Sequence, residues 1–98
     1  MNLRDIQGEQ AAYDTQHWSH QPGQETICHC ERHVGKLMGK IATVAEAYDH
    51  GEEPDLTTLD EEVIPDLLIY AARLANTRGL DLEQLFIQRT QQLRERFS

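Results

Sequence analysis

Apolar side chains recur at helical spacing through nearly the whole chain, and no alternating strand pattern competes with them. The first stripe, Leu3, Ile6, Gln10, Tyr13 and His17 or Trp18, predicts a helix over residues 3–18 whose apolar content is thin. Ser19-His20-Gln21-Pro22-Gly23 breaks it, because Pro-Gly favours a turn. Ile27, Cys30, Val34, Leu37, Met38, Ile41, Val44, Ala45 and Tyr48 then predict a long helix over 25–50, ended by Gly51 with Pro54 beyond it.

A third helix is expected over 58–78, capped by Thr57 or Thr58 and closed by Gly79. Leu59, Val63, Ile64, Leu67, Leu68, Ala71, Leu74 and Ala75 make more than half its circumference apolar, which suits the centre of a bundle. Pro65 lies inside it and should bend it by removing one backbone hydrogen bond. Asp81, with Gln84 three residues on, caps a last helix over 81–96 that turns Leu82, Leu85, Phe86 and Leu93 inward. The expected fold is all-α, a single domain over 1–98 built as an antiparallel four-helix bundle. A chain of 98 residues buries a modest core, so self-association over an apolar helix face is expected.

Asp66 stands alone in the apolar run from Val63 to Ala72. An ionised group left unpaired in a core costs several kcal/mol, so a buried acid pairs, hydrogen-bonds or binds metal. Glu62 precedes it by four residues on the same helix face. Together they form half of a divalent-cation site, or else they serve a salt bridge or a helix cap.

Charge narrows the function. The formal net charge is −8 and the pI about 4.9, which argues against general binding to nucleic acid or anionic lipid. Between Ile41 and Ala72 there is no Lys or Arg, yet Glu46, Asp49, Glu52, Glu53, Asp55, Asp60, Glu61, Glu62 and Asp66 all fall there. On the preceding helix His29, His33, Lys36 and Lys40 share one row. That row suits phosphate contact, neutralisation of Glu62 and Asp66, or a solvated face. Cys28-His29-Cys30 with His33 has zinc-ligand residue types, but helical geometry turns Cys28 away from the others, so small core and half-exposed polar roles fit better. Trp18 suits a packing anchor or a surface on which a base stacks. There is no nucleophile elbow, phosphate-binding glycine loop or dinucleotide fingerprint. The N-terminus lacks a secretion-signal pattern, no stretch is apolar enough for a membrane span, and two cysteines two residues apart do not bridge. A cytoplasmic location is expected, with no membrane association.

Glu62-Val63-Ile64-Pro65-Asp66-Leu67-Leu68-Ile69-Tyr70, followed by Leu74-Ala75-Asn76-Thr77-Arg78-Gly79-Leu80-Asp81-Leu82-Glu83, resembles the MazG-like all-α nucleoside triphosphate pyrophosphohydrolases. His29 to Leu37 is similar to the helix that precedes this region in the family, and Leu3 to Gln7 with Trp18 to its first helix. The resemblance covers nearly the whole chain and implies a homodimer or homotetramer. It also implies Mg²⁺ held by Glu-Glu-x-x-Glu on one helix and Glu-x-x-Asp on the next, with cleavage of a nucleoside triphosphate to monophosphate and pyrophosphate. Asp66 keeps its family position and Glu62 lies one residue from its own, while Arg32, His33, Lys36 and Val63 occupy the other ligand positions. On this reading Glu62 and Asp66 are metal ligands and His33, Lys36 and Lys40 contact phosphate. The alternative is a catalytically degenerate nucleotide-binding or interaction module in which the protein's own cations stand where Mg²⁺ stood.

Overall fold

The computed structural model describes residues 1–18 and 23–97, and among them every regular element is helical. Helix α1 spans Leu3–His17, α2 Gln24–Asp49, α3 Ile64–Arg78 and α4 Leu82–Phe97. Residues 57 and 58 are already helical and the π turn Leu59–Val63 runs on into α3, so all four helices lie within two residues of the sequence expectation. The expected turn at residues 19–22 lies outside the described residues; Gly23, beside it, has φ 90°.

Local chemistry sets the ends. Asn2 caps α1 reciprocally: its side chain accepts from the Asp5 amide, and the Asp5 carboxylate accepts from the Asn2 amide. Asp81 caps α4 by accepting from the amides of Glu83 and Gln84 at 3.0 and 3.3 Å. Gly79 ends α3 at φ 64°, a left-handed conformation that any side chain would strain. Neither Thr57 nor Thr58 caps the third helix; instead Asp55 Oδ1 accepts from the Thr57 amide in a tight turn.

The chain then enters a π turn, Leu59–Val63, before α3 begins. Pro65 explains it. A proline in a continuing α-helix lacks a donor and collides with the carbonyl four residues back. The wider π winding opens the ladder just ahead of it, so Pro65 falls at the second position of α3, where no amide donor is needed. The expected bend is thus a change of winding.

Helix α3 is the hub: it packs against α1, α2, the π turn and α4. α1 and α4 also meet, but the backbones of α1 and α2 do not approach each other, nor do those of α2 and α4. The core is narrow, consisting of Cys30 and Leu37 from α2, Val63 from the π turn, and Ala72 and Ala75 from α3, with Thr26 beside them. Two alanines on α3 let α2 come close, but they contribute little apolar area. Ile64, Leu67 and Leu68, expected in the bundle centre, are exposed by 57%, 42% and 38%. In α4, Leu85 and Phe86 were expected inward and are exposed, because only one side of α4 meets α1 and α3. None of the described helices is long and apolar enough to cross a membrane.

Candidate functional site

Arg73 organises the side chains between α1, α2 and α3. It is the only Lys or Arg between Ile41 and Thr77, and its side chain is 12% exposed. Its Nε donates to both carboxylate oxygens of Asp14, at 3.0 and 3.2 Å, and its Nη2 lies 3.0 Å from Asp14 Oδ1. Such a fork is stronger and more directional than a single contact. The guanidinium also lies over two rings, 4.1 Å from the centre of Trp18 and 5.2 Å from that of Tyr70.

Those rings begin and end a continuous aromatic row. Trp18 meets His29 at 4.8 Å, His29 meets His33 at 4.3 Å, and His33 stacks on Tyr70 at 5.7 Å with planes 12° apart. The row joins the residue after α1 to α2 and α3. Burial pushes the Tyr70 hydroxyl above its ordinary pKa; Arg73 draws it back, and Asp66 adds to the rise. Burial likewise raises the Cys30 thiol, with Arg73 opposing and Asp14 adding. Both shifts favour the neutral forms of Tyr70 and Cys30.

Glu62 and Asp66 part company. Glu62 Oε1 lies 3.6 Å from the ammonium of Lys40, on α2. Asp66 faces the other way, into a groove of about 760 Å³ shared with α1, where Ile6, Gln10, Tyr13, Pro65, Tyr70 and Arg73 also line the wall. It is half-buried rather than sealed in the core. The expected shared face assumed regular α-winding, and the π turn supplies a wider one.

The α2 row likewise divides. His33 is taken by Tyr70, Lys40 by Glu62, and Lys36 points into solvent. For zinc, Cys28 is exposed and Cys30 buried. Among the described residues no group of three or more His, Cys, Asp or Glu side chains converges to hold a metal ion. The donor set therefore does not fit the dinuclear Mg²⁺ site that the MazG resemblance implies, since such a site needs several converging oxygens and no adjacent ammonium.

A second cavity, of about 280 Å³, lies between Asp14, Thr15, Trp18, Thr26, Arg73, Asn76 and Thr77. The Arg73 and Asp14 groups in its wall bond each other, and the Asn76 amide bonds Gln7.

Sequence reasoning passed over Asp14, Arg73, Gln7 and Asn76. A usable signal existed for Arg73: a lone cation in an apolar helix needs a partner as much as the lone Asp66 does. Asp14 is then a natural choice, three residues from Ala11 and four from Trp18 on one side of α1. Comparison with protein-family models, with curated proteins and with solved structures finds no match.

Proposed function

We propose that this chain is a MazG-like helical module that has exchanged metal-dependent hydrolysis of nucleoside triphosphates for a role in interaction. The observation that carries this reading is the Lys40 ammonium 3.6 Å from Glu62. One of the two acids available for Mg²⁺ thus has a protein cation beside it, which repels a divalent ion. The separation of Glu62 from Asp66 points the same way. So does the use of His33 for stacking on Tyr70. Lys40 and His33 lie on one row of α2, and both are engaged by residues that follow on the chain, Glu62 and Tyr70.

The test is a pyrophosphate-release assay. Purified protein is incubated with a panel of canonical and modified nucleoside triphosphates and Mg²⁺ or Mn²⁺, beside a Glu62→Ala, Asp66→Ala double variant. The expected outcome is no release above the double variant. Release that the double variant abolishes identifies a working pyrophosphohydrolase and overturns the reading. Thermal stabilisation by a triphosphate without release identifies a nucleotide-binding form of the module.

A further inference from the structure

The groove between α1 and α3 holds about 760 Å³, inside the roughly 300–1,000 Å³ range of small-molecule sites. Ile6 from α1 and Pro65, Leu68 and Ile69 from α3 give it apolar walls. Each helix then adds the same two side chains. On α1 Glu9 precedes Tyr13 by four residues, on α3 Asp66 precedes Tyr70 by four, and all four line the groove. That spacing sets a carboxylate and a ring on one face of a helix. The Asp66 charge is felt at Tyr70, whose hydroxyl it helps to raise. Tyr13 and Leu68 stand exposed, with apolar surface that a ligand would cover.

The charges in the wall choose the sign of the ligand. Arg73 reaches the groove, but its guanidinium is neutralised by the fork on Asp14 and lies over Trp18 and Tyr70. Gln10 donates to the same Asp14. Among the described residues neither Glu9 nor Asp66 forms an ion pair. An anion entering the groove would meet these two like charges. A cation would meet two carboxylates and two rings whose negative faces attract it.

We infer that this groove binds a small organic ammonium with an apolar body, its nitrogen drawn to Glu9 and Asp66 and its apolar part laid against Tyr13, Tyr70 and Leu68. The volume suits one drug-sized molecule, and the few polar groups among apolar walls fix its orientation. This goes beyond the interaction role proposed above, which names no ligand.

Isothermal titration of the full chain with naphthylethylammonium tests it, beside neutral naphthylethanol and anionic naphthylacetate, which keep the same ring. The ammonium should bind about tenfold tighter than the alcohol, and the carboxylate more weakly than either. Added salt should narrow the gap. The double variant Glu9→Gln, Asp66→Asn keeps the shape of the groove and should remove the preference for the ammonium while leaving the alcohol's affinity unchanged. Tyr13→Ala, at an exposed ring, should weaken ammonium and alcohol together. The helical circular dichroism signal checks that each variant folds. Equal affinity for ammonium and alcohol overturns the inference, as does a preference that survives the double variant, or no binding of any probe. An apolar lysine-containing peptide that binds about tenfold tighter than the ammonium makes a protein segment the occupant. Ammonium binding that weakens as protein concentration rises makes a second copy the occupant. Either result overturns the small-molecule assignment. Pyrophosphate release enters none of these readouts, so failure here is distinct from failure of the functional reading.

Discussion

Gln7 and Asn76 exchange hydrogen bonds across 69 positions of sequence: Gln7 Nε2 donates to Asn76 Oδ1 at 2.9 Å, and Asn76 Nδ2 donates to the Gln7 carbonyl at 3.1 Å. The same Gln7 amide donates to the Leu80 carbonyl at 2.7 Å and accepts from the Leu82 amide at 2.8 Å. One side chain thus ties α1 to the end of α3 and the start of α4. Helix α1 has no buried residue, so this polar clamp and the Arg73–Asp14 fork hold it where an apolar stripe was expected to.

Truncating Gln7 should therefore cost more than its position on a thin amphipathic helix suggests. Gln7→Ala leaves the Leu80 carbonyl, the Leu82 amide and part of Asn76 without partners, and should destabilise the fold by about 1–3 kcal/mol. Chemical denaturation followed by circular dichroism checks it. A neighbouring control, Gly8→Ala, meets nothing within 4 Å and should be neutral or slightly stabilising.

Arg73→Lys keeps the charge but loses the fork on Asp14 and the planar stack on Trp18 and Tyr70. A loss of about 1–3 kcal/mol is expected, with a coupling to Asp14→Asn of about 0.5–3 kcal/mol in a double-mutant cycle. Trp18 is the only tryptophan, so its fluorescence reports the change directly.

Stability should fall in acid partly through Asp81. Desolvation is the largest single influence and pushes its carboxyl up, but hydrogen bonds from the Gln84 amide, the Arg4 guanidinium and the Glu83 amide, with the charge of Arg4, together outweigh it and hold the carboxyl below its ordinary value. A group depressed in the folded state stabilises above its unfolded pKa, and that contribution disappears as pH falls through the folded value. The stability curves of wild type and Asp81→Asn should therefore lie apart at neutral pH. They should converge below about pH 4, the ordinary carboxylate range.

The two thiols should behave differently. Cys28 is exposed, whereas Cys30 is 1% exposed and its pKa is raised by burial. A thiol reagent at pH 8 should label Cys28 at once and Cys30 only as fast as the fold opens. Two equally fast thiols would mean that the α2–α3 core is open in solution.

Replacing Asp66 by Ala should change thermal stability equally with chelator and with Mg²⁺ present, since Asp66 faces the α1 groove. Lys40→Ala should cost less than about 0.5 kcal/mol, because exposed ion pairs contribute little. A loss that appears only with Mg²⁺ would show that the acids gather around a metal after all.

Much of the helical plan was legible from periodicity and punctuation. Gly51 and Gly79 end α2 and α3 where left-handed backbone is needed, and Asp81 caps α4 through its carboxylate. The π turn was not legible: Pro65 announces that the ladder must open, but whether a helix kinks or widens depends on what packs around it, and here Val63 is wholly buried. Of the candidate site, pairing between the α2 row and the acids was one of three readings the charges allowed, and among the described residues Lys40 with Glu62 shows one such pair. The separation of Asp66 from Glu62 was not, because equal spacing along a sequence means equal angle only in regular winding.

By itself the sequence determined the helices, because their signals are local: spacing, caps, glycine and proline act within a few residues. It also set the acidic character of the 41–72 segment and the need of two lone charges, Asp66 and Arg73, for surroundings that tolerate them. Only the tertiary structure decided where those charges go. Arg73 reaches Asp14 and Asp66 the α1 groove, and the apolar faces of α2 and α3 are left open. Each of these depends on which helix lies beside which, and contacts between residues tens of positions apart carry no local signature in the chain.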